Sequence, residues 1–119
     1  RDFLNQSSGM LFVFPEKTIP NFWMKEMKFP IDIIWIDSDF KIIGISKNLK
    51  PCEKDFCPTH NPEEKIKYAL EINAGLSEDF KIGDEIILEV LMFRQVFQVL
   101  FYYRGGQEVS NCCLHLIFQ

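Results

Sequence analysis

Two thiols and an imidazole, Cys52, Cys57 and His60, stand close enough in the chain to share a site. Four residues separate the thiols and two separate Cys57 from His60. Zinc sites use Cys and His at such spacings, but a structural site needs four ligands, and Glu53 or Asp55 would have to complete this one. A disulfide closing a short loop is the favoured reading if the compartment is oxidising, and it would stabilise the loop by roughly 2 kcal/mol. Free structural thiols and a redox-active pair are the other readings. A redox role needs a thiol of depressed pKa, which Lys54 or His60 would favour and Glu53 and Asp55 oppose. The spacing is also not Cys-x-x-Cys, and no βαβ pattern surrounds it. Cys112 and Cys113 are adjacent and poorly placed to bridge one another, so they read as structural or adventitious thiols.

A second group, Phe22, Trp23, Lys25, Asp32, Glu71 and Asn73, falls on or beside predicted strands. A lysine and two carboxylates in a half-buried cleft could do acid and base work, because burial and charge pairing shift their proton affinities. Alternatively, Lys25 and Asp32 form an ion pair that fixes strand register, which is the favoured reading. Trp23 and Trp35 offer either core burial or a flat face for a ligand, with core favoured. There is no glycine-rich phosphate loop, no Gly-x-Ser-x-Gly elbow and no His-Glu-x-x-His helix.

The elements that must position these residues are short strands. Met10 to Phe14 is an apolar run closed by Pro15, the pattern of a strand buried on both faces. Asn21 to Lys25 follows Pro20 as a second strand. Ile31 to Ile36 and Lys41 to Ser46 flank the turn residues Asp37, Ser38, Asp39 and Phe40, which predicts a hairpin. Alternation puts Ile31, Ile33 and Trp35 on one face and Asp32, Ile34 and Ile36 on the other. Asp32 therefore sits among apolar neighbours and needs a partner or a wet edge. From Asn48 to Lys67 the three prolines Pro51, Pro58 and Pro62 predict one long loop. Tyr68 to Ile72 predicts a strand, Leu76 to Lys81 a short helical turn, and Glu85 to Val90 a last strand.

The 119 residues, 47% hydrophobic and 25% charged, suit one soluble globular domain. A formal charge of −4 and the lack of a Lys or Arg run disfavour nucleic acid as a partner. Residues 1 to 8 contain no apolar signal core, so any export signal lies outside this sequence. Beyond Val90 the composition changes: Leu91 to Gln119 keeps only Arg94, Arg104 and Glu108 as charges and has no lysine. Its apolar stretch LMFRQVFQVLFYY is too short and too interrupted to span a membrane. An added strand or hairpin around Gly105 and Gly106, a poorly packed extension, or an interaction surface are the readings of this tail.

The ordered set GMLFVFP, FWMK, PIDIIWID, NLKPC with CP following, YALEINAG and IGD resembles the bacterial and archaeal family called domain of unknown function 192, over roughly residues 1–89. Arg1 and Leu4 fit positions that in the family follow a first strand and a Gly-Leu-Met turn. The chain is thus expected to begin after that strand, with one sheet edge left unpaired. Residues 91–119 have no counterpart in the family pattern. The resemblance implies a small all-β sandwich or barrel, with α+β as the alternative, often exported and without an established activity. Trp23, Lys25, Asp32, Glu71 and Asn73 match its motif positions, which permits a pocket there. Three functions follow. The favoured one is a non-catalytic binding or accessory module, using a groove of Phe22, Trp23 and Lys25 for an unknown small molecule or protein. The others are an enzyme using Lys25, Asp32 and Glu71, and a thiol or metal module at Cys52, Cys57 and His60. No cofactor is expected.

Overall fold

The computed structural model describes residues 8–93, 96–103 and 113–118, with side-chain positions for 9–87. Strands run in the order β1 (Ser8–Thr18), β2 (Phe22–Trp23), β3 (Ile31–Ile36), β4 (Ile42–Leu49), β5 (Thr59–His60), β6 (Ile66–Asn73), β7 (Ile86–Phe93), β8 (Val96–Tyr103) and β9 (Cys113–Phe118). The described residues contain no helix, and the fold is all-β. Its centre is a five-stranded sheet in the order β4-β3-β6-β1-β9, accompanied by the two-stranded ribbons β2-β5 and β7-β8.

The central strand β3 explains the rest. Every residue of IDIIWI is buried, so the sheet must be covered on both faces. On one face Ile34 and Ile36 pack with Leu11, Ile42, Leu70, Ile72, Phe80 and Ile86. On the other, Ile31, Ile33 and Trp35 pack with Met24, Ile66 and Ala69. The first face is closed by the segment carrying Phe80 and Ile86. The second is closed by the segment carrying Phe22 and Met24, with Phe22 against Phe12 and Trp35 at ring-centroid distances of 5.0 and 5.6 Å.

The β3-β4 hairpin forms as its turn residues predict. Asp37 Oδ1 accepts from the backbone N–H groups of Asp39 and Lys41, both at 2.9 Å. Phe40 takes a positive φ of 61° that a bulky residue normally avoids. It is held there by its ring stacked on Tyr68, at 4.9 Å, and by its carbonyl, which accepts from Ile86 N–H at 2.7 Å.

Three features depart from the sequence expectation. β1 does not end at Pro15 but runs to Thr18, with its register against β6 shifting between Val13 and Thr18. A proline has no N–H to give the ladder, so pairing lapses there and resumes beyond it. The expected helical turn over 76–81 is instead a run of tight turns, in which Leu76 N–H donates to Asn73 and Phe80 N–H to Ser77. The long loop contains β5, whose Thr59 and His60 pair with Trp23 and Phe22.

In the tail, β7 pairs with β8 from Ile86↔Tyr103 to Phe93↔Val96, while Gly105 and Gly106 lie outside the described residues, as do Arg1 and Leu4. β9 lies parallel to β1, from Ser8↔Cys113 to Val13↔Phe118, so the side of β1 away from β6 carries a strand rather than an open edge. Among the described residues no helix is long and apolar enough to cross a membrane.

Candidate functional site

Asp32 is the most deeply buried charged residue of the candidate set, at 1% exposure. Alternation along β3 points it to the same face as Ile34 and Ile36, opposite Ile72 of β6. Four donors converge on its carboxylate. Oδ1 accepts from Asn48 N–H at 2.8 Å, and Oδ2 accepts from Gly75 N–H at 3.0 Å, Ser77 N–H at 3.2 Å and Ser77 Oγ–H at 2.6 Å. These bonds replace hydration of the charge and tie β4 and the 73–77 turn to the central strand. Gly75 has φ 91°, a backbone that favours glycine, and this turn brings its N–H and those of Ser77 onto one oxygen.

Lys25 takes no part in this. Met24 is buried in the face that holds Trp35, whereas Lys25 next to it is exposed, with its Nζ 5.5 Å from the centroid of the Trp23 ring. The sheet therefore stands between Lys25 and Asp32, and the register-fixing ion pair between them does not form. Glu71 pairs in register with Ile33, not with Asp32, so adjacent positions of a pleated strand send the two carboxylates to opposite faces. Glu71 is buried and partnered, and Asn73, also partnered, faces Ile31 across the ladder. Lys25, Asp32 and Glu71 thus do not converge on one reacting centre.

The two tryptophans divide. Trp35 is core, 2% exposed, its indole Nε1–H donating to Ser46 Oγ at 3.0 Å. Trp23 is 59% exposed, which corrects the expectation of core packing. It stands on the two-residue strand β2, whose inward position is taken by Phe22, so alternation leaves the indole outside.

Beside Trp23 lies the cysteine loop. The sulfurs of Cys52 and Cys57 are at disulfide-bonding distance, with Cα atoms 5.9 Å apart. Cys52 N–H donates to Met24 O at 3.0 Å, and Lys25 and Cys52 form an isolated parallel bridge. A shallow cleft sits at this junction, its walls formed by Lys25, Lys28 and Lys54 together with Glu26, Glu53, Met27 and Cys52. Phe56, inside the loop, is 92% exposed. Joined sulfurs are not thiolate ligands, and His60 is placed across from Phe22 by strand pairing. Among the described residues no three His, Cys, Asp or Glu side chains are grouped to hold a metal ion.

Sequence reasoning missed Asn48, Gly75 and Ser77 as the holders of Asp32, and Lys28 and Phe56 around the cysteine loop. The Ala74-Gly75 break followed by Ser77 was a usable signal for a turn whose amides could serve a carboxylate.

Fold and site together define a small all-β domain with the Asp32 carboxylate built into its scaffold and an exposed indole and charged side chains around its outer ribbon. The profile of domain of unknown function 192 (DUF192), described as uncharacterized ACR, matches residues 1–88, and the chain belongs to that family. Two crystal structures resemble it at a TM-score of 0.65. One is a protein of unknown function from Novosphingobium aromaticivorans DSM 12444, 29% identical, covering 71% of this chain and 60% of that one. The other, from Sinorhizobium meliloti 1021, is named a “putative transcription regulator”, is 32% identical and covers 71% of this chain and 65% of that one. The chain thus spans less than two thirds of either. No curated protein matches it.

Proposed function

We propose that this domain is a non-catalytic binding or accessory module of an exported protein, and that it engages its ligand through the outer ribbon around Trp23. The observation that carries this reading is an indole 59% exposed on a short ribbon, with a lysine on its ring and the cysteine loop beside it. An exposed tryptophan held by strand pairing gives contact area at little entropic cost, and Lys25, Lys28 and Lys54 add an excess of positive charge over Glu26 and Glu53. Its ligand is a flat apolar group carrying an acidic function. The cysteine pair favours an oxidising compartment, which supports export. The name of the Sinorhizobium relative points elsewhere, toward DNA, but a net charge of −4 speaks against a phosphate backbone as partner.

The test is a titration of the isotopically labelled protein with indole-3-acetate and with tryptamine, its amine counterpart. Amide shifts confined to 22–28 and 52–60, produced by the acid and lost in Trp23→Ala, are expected. Shifts that survive Trp23→Ala, or that tryptamine reproduces equally, would refute the assignment of this surface.

A further inference from the structure

The second exposed feature stands apart from the Trp23 surface, at the β4 edge of the sheet. At the start of β4 the outer side is occupied: Ile42 N–H donates to Asp84 O at 2.9 Å, Ile42 O accepts from Gly83 N–H at 2.8 Å, and Lys41 bridges to Glu85. From Ile43 to Ser46, no described residue pairs with that side. A cleft lies along this same stretch, lined by Gly44, Ser46, Asn61, Glu63, Glu64 and Ile82. Its floor is the Trp35 indole, fixed by the bond to Ser46. Gly44 presents backbone without a side chain. Ile82, next to Gly83, is 70% exposed, and Glu63 and Glu64 are both exposed.

We infer that this edge accepts an extended basic peptide from another protein as an added strand. An unpaired edge offers alternating donors and acceptors to any extended backbone, and a neighbouring cleft supplies the side-chain selection. Here the selection is set by charge: Glu63 and Glu64 call for Arg or Lys, and Ile82 for an apolar residue at the adjoining position. Lys47, beyond the cleft, lies 3.8 Å from Glu78. A stretch from Ile43 to Ser46 accommodates about four peptide residues at roughly 3.3 Å each.

The probe is an acetylated and amidated peptide of about six residues alternating valine and arginine, long enough to cover that stretch. Two controls accompany it: one with glutamate in place of arginine, and one with a central proline that removes an N–H from the ladder. The arginine peptide is expected to shift the amides of 43–46 and of 61, 63 and 64, and to slow hydrogen exchange along 43–46. Its affinity should fall about tenfold or more in the exposed double variant Glu63→Gln and Glu64→Gln, the loss expected when complementary charges are removed. The proline and glutamate peptides should bind as weakly. Equal binding of the glutamate peptide, or an unchanged affinity for the proline peptide, would overturn strand addition at this site. So would concentration-dependent self-association of the free protein that protects 43–46, since the edge would then serve a second copy of this chain.

Discussion

At the scale of the residue, Asp32 shows how a side chain with the look of a catalytic group can be wholly occupied in holding a fold. Its four donors come from positions 16, 43 and 45 residues further along the chain. That is why strand alternation could require a partner for it but could not name one. Asp32→Ala leaves those buried donors without an acceptor, and each unsatisfied buried polar group carries a desolvation penalty, so a loss of about 3 kcal/mol or more in urea unfolding is expected. Ser77→Ala removes only the shortest bond and should cost about 1–2 kcal/mol. An Asp32→Ala protein as stable as the parent would show that the amides find water instead. The tryptophans make the same point about context, since residue type alone did not separate them. Acrylamide should quench Trp23 and spare Trp35. Trp35→Ala is expected to cost about 3–5 kcal/mol by opening the core, and Trp23→Ala to stay within about 0.5 kcal/mol. Similar stability losses for the two would contradict the division of core and surface described above.

At the scale of the element, legibility followed how local the determining forces are. The β3-β4 hairpin was readable because alternation, β-branched residues and the Asp37 turn all act within a few residues. The extension of β1 beyond Pro15 was not, because it depends on β6 resuming the ladder at Ile66. The short strand β5 was hidden for a related reason: two residues in a proline-rich loop become a strand only because Phe22 and Trp23 lie opposite. Gly44 tests the fit between hairpin strands, since a Cβ built there would lie 3.2 Å from Cδ1 of the buried Trp35. Gly44→Val should therefore destabilise the protein by about 1–3 kcal/mol, with chemical shift changes concentrated around Trp35 and Ser46. If the valine were neutral or stabilising, the indole would have room that the packing denies it.

Taken as a whole molecule, the sheet has two edges with different fates. On one side β4 is partly covered by 83–85, and no described residue pairs with the rest of it. On the other, β1 is flanked by β9, which joins chain regions far apart in sequence through six register pairs. The composition change near Val90 marked residues 91–119 as different in kind, and an added strand was among the readings of that tail. Its place in the sheet was out of reach, because a parallel pairing between distant segments leaves no local periodicity to read. It also forms against a large loop-closure cost, so such strands tend to pair late in folding. Deleting 104–119 would strip β9 away and present the outer side of β1 as an unpaired edge. The shortened protein is expected to associate as its concentration rises, measured by sedimentation velocity, with new exchange of amides in 8–13 at dilutions where it remains monomeric. A monomer at every concentration, with those amides still protected, would mean that β1 does not depend on β9 to complete its ladder.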